Sequence, residues 1–186
     1  MSSIKNDNMI VINSDFYLDQ VNENDIPNLI KYLNDEETYS NLLAIPHPYT
    51  KTSGLWWVNH VEEMRLIFNR LYQWTIKDNT GQLIGGIGLL NKYGPDSHKD
   101  ELGYWLAKPY WGNGVMPIVV RKFVEVGFEN WSLSRIEATT FECNKPSQRV
   151  LEKVGFKLEG CLRDYHLKQN QLVNAYMFSL IKSDTE

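Results

Sequence analysis

Apolar residues recur along this chain with two different periods, and the switches between them mark out the elements. Phe16 and Leu18, with Val21 beyond them, interleave with Tyr17, Asp19 and Gln20 as a first strand. Ile10-Val11-Ile12 opens that apolar stretch, and residues 1–9 are mostly polar and expected to be flexible. Ile26, Leu29, Ile30 and Leu33 then fall at helical spacing, with Asn22 or Asn24 as cap and Pro27 tolerated in the first turn. A proline-stiffened loop, Ile45-Pro46-His47-Pro48-Tyr49-Thr50, leads to a second helix. That helix starts at Thr50 or Thr52 and carries Trp56, Trp57, His60, Val61 and Met64. Tyr72, Trp74 and Ile76 alternate with Gln73, Thr75 and Lys77; after the turn Asp78-Asn79-Thr80-Gly81, Leu83 to Leu90 supplies the partner strand of a hairpin. Gly85, Gly86 and Gly88 are costly inside a strand and predict a bulge or a close neighbour. Asn91 to Lys99 is a hydrophilic loop.

The stretch Glu101 to Met116, ELGYWLAKPYWGNGVM, organises the rest. Leu102, Tyr104 and Leu106 share one face of a strand, with Glu101, Gly103 and Trp105 on the other, and Lys108-Pro109 stops the ladder because proline has no N–H to donate. Gly112-Asn113-Gly114 then opens a helix with Val115, Val119, Phe123 and Val126 inward and Arg121, Lys122, Glu125 and Glu129 in water. A strand, a glycine loop and a helix start form a ready anion site: the first-turn amides are unpaired, the helix dipole adds partial positive charge, and glycine lets a phosphate come close. The loop fits neither the P-loop pattern, since no Lys-Ser/Thr follows, nor the dinucleotide fingerprint, since no third glycine arrives in time. Arg135 to Phe141 reads as a strand, Asn144 to Val154 as a short helix ended by Gly155, and Phe156–Glu159 and Leu172–Ile181 as closing strands. No internal repeat, linker or low-complexity tract interrupts this mixed α/β order.

At 186 residues, with 42% apolar and 12% aromatic content, the chain is expected to be one globular domain over 1–186. A net charge of −4 and a pI near 5.6 argue against a duplex-binding protein and for no nucleic-acid partner, and mildly favour a cationic one. Cys143 and Cys161 make no disulfide framework and suggest a reducing compartment. No apolar run approaches the ~20 residues of a membrane span, and the first residues lack a signal-peptide core. A cytoplasmic protein, monomeric or homodimeric, with no membrane partner, is the expectation.

A second stretch, NKPSQRVLEKVGF from Asn144 to Phe156, follows YWGNGVM by about thirty residues. Together they resemble the GNAT N-acetyltransferase superfamily, and more closely its RimJ/RimL-like branch of ribosomal-protein N-terminal acetyltransferases. The likeness spans nearly the whole chain: IPHPYT resembles that branch's proline-rich loop, ELGYWL its fourth strand, and EGCLRDYHLKQNQLVNAYMFSL its closing strands. The resemblance implies a twisted, mostly antiparallel sheet flanked by helices and splayed between its fourth and fifth strands, with acetyl-CoA as co-substrate and no metal. It implies that the pantetheine arm bonds the backbone of Trp105, Leu106 and Ala107. The pyrophosphate would sit on the amides of Gly112, Asn113, Gly114, Val115 and Met116, Asn144 would bond the pantetheine arm, and Ser147 would lie near the thioester sulfur. The chain departs from the superfamily at Pro109, where Gln or Arg often begins the phosphate loop, and at Pro117 and Ile118, where this branch often has Thr-Glu. Leu151 stands where many relatives carry a tyrosine that protonates the leaving thiolate, so Ser147 or water is left for that step.

Acyl transfer to an amine needs a neutral nucleophile, and an α-amino group (pKa about 7.7–8.0) needs less help than an alkylammonium near ~10. Glu101, on the strand that would bind pantetheine, is the candidate base, with a solvated strand-end carboxylate as the plain alternative and Glu142 as the alternate base. A backbone N–H of that strand could stabilise the charge growing on the carbonyl oxygen, worth a few kcal/mol for such a donor. Direct attack requires no covalent intermediate, and Cys143 reads as a small buried thiol. His47, His60, His98 and His166 have no metal spacing and read as structural or surface residues, except that His47 could line the acceptor pocket. Trp56, Trp57, Tyr49 and Tyr72 could wall that pocket or pack in the core, and Arg163 and Asp164 read as a local ion pair. The expected acceptor is a protein N-terminus, then a small amine such as a polyamine or aminoglycoside; a non-catalytic acyl-CoA-binding module is the rival from another class.

Overall fold

The hydrophobic periods become eight strands and five helices among residues 9–185, which the computed structural model describes. Residues 1–8, in the stretch expected to be flexible, lie outside the described residues, whereas Met9 already belongs to a strand. By contact the chain forms two compact units: one holds the described residues up to Gly88 together with Tyr104–Asn113, the other Leu89–Gly103 and Gly114 onward.

In the first unit, β1 (Met9–Val11), β2 (Phe16–Asp19), β3 (Gln73–Asp78) and β4 (Leu83–Leu89) pair antiparallel in sequence order. Asn22, not Asn24, caps the turn leading into α1 (Ile26–Leu33), in a reciprocal capping box with Asp25. A one-turn helix, α2 (Glu36–Ser40), capped by Asp35, was not marked by any apolar period. Thr50 caps α3 (Lys51–Phe68) through a box with Ser53. The alternation over β3 predicts a wet face at Thr75 and Lys77, yet both are buried. Thr75 Oγ1 donates to the Asp19 carbonyl at 2.8 Å, and the Lys77 ammonium is paired with Asp19 at 3.2 Å and Asp25 at 3.3 Å. Removing Lys77 would leave the buried Asp25 carboxylate without its counter-charge, a change that typically costs about 3–5 kcal/mol.

The glycines of β4 answer to close neighbours and to one register shift in the hairpin, between Ile76 and Lys77. A Cβ on Gly85 would stand 2.5 Å from the Trp105 carbonyl oxygen, and one on Gly86 2.6 Å from the Trp105 indole nitrogen. Strand β5 (Lys99–Leu106) begins two residues ahead of Glu101. It is fifth in this chain because β1 precedes the strand expected to be first.

In the second unit, β5 pairs parallel with β6 (Arg135–Phe141) over Lys99–Glu101 only, the last pair being Glu101 and Glu137. Helix α4 (Val115–Asn130) buries Val119, Val120 and Phe123, and packs with α5 (Lys145–Val154), which ends at Gly155 in the left-handed region. β7 (Lys157–Lys168) and β8 (Gln171–Ile181) form an antiparallel hairpin, with β8 also lying against β6. Its two-residue turn has Gln169 and Asn170 both at positive φ (50° and 62°), matching the strand twist. β7 is far longer than the Phe156–Glu159 expected, because two bulges hide its period. The first is at Glu159. In the second, Arg163, Asp164 and Tyr165 face the single residue Asn174.

Candidate active site

The glycine loop has the form that an anion needs. Gly112 and Gly114 adopt φ of 77° and 75°, a region that disfavours side chains, and a Cβ on either would meet nothing within 4 Å. Gly114 caps α4 with no side-chain hydrogen bond, so the first turn's amides are not claimed by a capping side chain. Pro117 is the third residue of α4 and has no N–H, which leaves the amides of Gly114, Val115 and Met116 as that turn's donors ahead of it. Gly112, Asn113 and Gly114 are exposed; Val115 and Met116 bury their side chains.

Trp105 and Leu106 end β5 and Ala107 follows, and part of this backbone is already committed. The Ala107 N–H donates to the Ile84 carbonyl at 2.8 Å, and the Ala107 carbonyl accepts from Tyr110 N–H at 2.9 Å. The Leu106 carbonyl accepts from the Trp111 indole at 2.6 Å. The amide of Ala107, expected to meet pantetheine, is therefore spent on β4.

Glu101 is not a solvated strand-end carboxylate. It is 3% exposed, and both of its oxygens are engaged: Oε2 by the Lys92 ammonium and Oε1 by the Thr139 hydroxyl at 2.7 Å. Lys92 is held in place by the Asp100 carboxylate, which accepts the backbone N–H groups of Asn91 and Lys92 at 3.0 and 3.2 Å. Burial acts against the Lys92 ammonium, but the hydrogen bond and charge of Glu101 outweigh it and raise its pKa. Neighbouring Glu137 is likewise buried and accepts from Tyr93, Lys99 and Arg135. Burial pushes the Glu137 carboxyl up, yet these three donors hold it below the usual carboxylate value, and its hydrogen bond lifts the Tyr93 phenol to about 12.

His166 is partly buried on β7. Its ring lies 5.7 Å from Phe141 and 4.6 Å from Tyr165, both edge-on, and burial lowers its pKa against the opposing pull of Glu101. Lys92 and Thr139 are partners of Glu101 that the sequence reading does not mark. The only sequence signal was polar residues placed among apolar ones, which is also how solvated strands look.

Asn144 caps α5, its side-chain oxygen accepting the Ser147 N–H at 3.2 Å, so a ligand would be met by the Asn144 amide NH₂. Glu142 is exposed and accepts from Asn174 at 3.0 Å and Tyr176 at 3.3 Å. Cys143, expected to be buried, is an exposed free thiol, as is Cys161. Arg163 and Asp164 form no ion pair among the described residues; Asp164 sits in the bulge at φ 51° with its N–H donated to Asn174 Oδ1 at 2.9 Å. Tyr49 and Tyr72 are buried, and burial pushes the Tyr49 phenol to about 12. Trp56 is 62% exposed and stacks on His60, His47 stacks on Tyr39, and His98 bonds Ser134. Among the described residues no cluster of three His, Cys, Asp or Glu could hold a metal, and no helix is long and apolar enough to cross a membrane.

These features coincide with sequence kinship. Residues 15–157 match the acetyltransferase (GNAT) domain family, and the chain belongs to that family. It is 37% identical over 109 residues to the uncharacterized N-acetyltransferase p20 of Bacillus licheniformis, a match covering 59% of this chain and 61% of that protein's length. It is 28% identical over 148 residues to the L-amino acid N-acetyltransferase AaaT of Escherichia coli K12, covering 78% of this chain and 85% of that one. The fold is also that of RimL, a ribosomal L7/L12 alpha-N-protein acetyltransferase solved with coenzyme A. The TM-score is 0.82 at 19% identity, covering 93% of this chain and 97% of that one.

Proposed function

We propose that this protein transfers the acetyl group of acetyl-CoA to a primary amine, with the α-amine of a protein N-terminus as first acceptor class. The observation that carries the reading is the start of α4: a GNAT-family chain with a double-glycine loop in the left-handed region and a helix N-terminus that no side chain caps. Its amides and dipole suit the pyrophosphate of CoA. In the first unit the backbone of Trp105 and Leu106 is the stretch offered to the pantetheine arm; in the second, the Asn144 amide NH₂ is the donor offered to CoA. A free-amino-acid acceptor is the second reading, favoured by the activity named for the Escherichia coli relative. A protein N-terminal α-amine, with a pKa of about 7.7–8.0, asks little of a base; the α-amine of a free amino acid, beside its own carboxylate, is more basic and asks more.

In the reaction the amine first loses a proton, then its lone pair attacks the thioester carbonyl. The C–N bond forms, the C–S bond breaks, and the thiolate leaves. A thiolate is a much weaker base than the attacking amine's conjugate anion and leaves readily, so Ser147 or water is the group proposed to protonate it. Thiol release from acetyl-CoA against N-terminal peptides, free amino acids and polyamines, with mass spectrometry of the products, tests the reading. A peptide or amino acid acetylated at its α-amine is expected. Acetyl-CoA bound without turnover on any acceptor would replace the enzyme with a binding module.

A further inference from the structure

Helix α4 offers more than the unclaimed amides at its start. Residues four and seven places after Gly114 fall on the same helical face, so Ile118 and Arg121 continue the line that Gly114 begins. Ile118 is a large apolar side chain left 43% exposed, one turn beyond the helix start. Arg121 is exposed and stands ~10 Å along the axis from Gly114, at ~1.5 Å per residue. Long helical side chains lean back towards the N-terminus, which shortens that gap. One face therefore carries, in order, a helix N-terminus, an apolar step and a guanidinium.

Arg121 is fixed by the neighbouring helix. Its Nη2 donates to the Lys153 carbonyl, in the last turn of α5, at 2.9 Å. That bond orients the guanidinium without neutralising it and uses one N–H of a five-donor fork. The next carboxylate along the face, Glu125, is taken by Lys122 at 3.1 Å. Among the described residues, Arg121, Arg149 and Lys153 form no ion pair. Helix α5 sets Lys145, Arg149 and Lys153 against the single carboxylate Glu152, with Arg149 and Lys153 one turn apart. In a chain of net charge −4 this is unusual company: Lys77, Lys92, Lys99 and Arg135 each meet a carboxylate. Uncompensated positive charge is thus gathered on two helices that pack together in one unit.

A second anionic group beside the pyrophosphate suits this pattern. CoA carries a phosphate on the 3′ oxygen of its adenosine ribose, the sugar whose 5′ oxygen bears the pyrophosphate. We propose that Arg121, fixed by the Lys153 carbonyl, and the Lys153 ammonium hold this 3′-phosphate, with Ile118 beneath the adenine. The protein then selects CoA over dephospho-CoA, which differs only in lacking that group. The planar fork of Arg121 can engage two phosphate oxygens at once, whereas Lys153 adds a point charge. The inference rests on the reading above that seats the pyrophosphate at the start of α4.

The test is titration calorimetry with CoA and with dephospho-CoA on the wild type, Arg121→Gln and Lys153→Met. Lys153→Met keeps the backbone carbonyl that anchors Arg121, so it reports on the charge even where Arg121→Gln loosens the helix pair. The wild type is expected to bind CoA about tenfold more tightly than dephospho-CoA, the low end for hydrogen bonds to charged groups because these cations are exposed. That preference is expected to shrink with added salt. Both variants are expected to lose part of it, Arg121→Gln the larger part, through weaker CoA binding with dephospho-CoA affinity kept. Equal wild-type affinity for the two ligands, or variants that weaken both alike, would overturn the proposal and leave the pyrophosphate seat standing. Binding of neither ligand by the wild type would overturn both.

Discussion

Gly85→Ala puts the contact between β4 and the end of β5 under direct test. The added Cβ would lie 2.5 Å from the Trp105 carbonyl oxygen, 3.1 Å from Ile76 Cδ1 and 3.3 Å from Leu106 Cα. Ile76 can rotate away. The backbone of β5 cannot do so freely, because Ala107 N–H is bonded to Ile84 at 2.8 Å and the Leu106 carbonyl to Trp111 at 2.6 Å. Overpacking of this kind costs about 1–3 kcal/mol. Alanine also narrows the unfolded ensemble, which returns about 0.4–1 kcal/mol, leaving a net loss of roughly 0.5–2 kcal/mol. For a chain of this size that lowers Tm by about 1–8 °C. The displaced strand is the one proposed to hold pantetheine, so CoA affinity should fall as well. Gly160→Ala is the control: its Cβ would meet nothing within 4 Å and its φ is not positive. Scanning calorimetry and titration calorimetry with CoA read the two effects. If Gly85→Ala matched Gly160→Ala in both Tm and CoA affinity, the close approach of β4 to β5 would be wrong.

Other outcomes follow from single groups. Asn144→Asp keeps the α5 cap but removes the amide donors, so thermal stability should hold while the Kd for CoA rises in calorimetry; Asn144→Ala should lose both, with about 1 kcal/mol from the cap. Gly112→Ala forces a side chain into φ of 77°, which costs about 1–2 kcal/mol; an unchanged urea midpoint would contradict that backbone. The Arg135 hydrogen bonds, with help from Ser179, hold the Glu159 carboxyl at about 2 against an ordinary 4.5. A depressed carboxyl pKa adds stability above the unfolded value and loses it as pH falls towards the folded one. The wild-type urea midpoint should therefore drop between about pH 5 and pH 2 more steeply than that of Arg135→Met.

The elements around the glycine loop and the second motif are legible because their signals are local. The span of β6, the start of α4 after Gly114 and the stop of α5 at Gly155 each depend on a few adjacent residues. The environment of Glu101 was not legible, since its partners Lys92 and Thr139 lie 9 and 38 residues away. The same holds for Lys77, whose burial depends on Asp19 and Asp25, more than fifty residues earlier. Short α2 contains too few apolar residues to show a period. β7 was truncated because a period of two cannot be followed through bulges at Glu159 and at Arg163–Tyr165.

The second bulge also shapes how this hairpin can vary over time. Between Leu162 and His166 the chain advances four residues while β8 advances two, from Ala175 to Val173. Losing two residues from Arg163–Tyr165 would erase the bulge and keep the facing. Losing one would leave two residues opposite Asn174, the form of bulge that the same hairpin already carries at Glu159. Length changes among descendants are therefore expected to concentrate in this segment, where the ladder on either side can keep its partners.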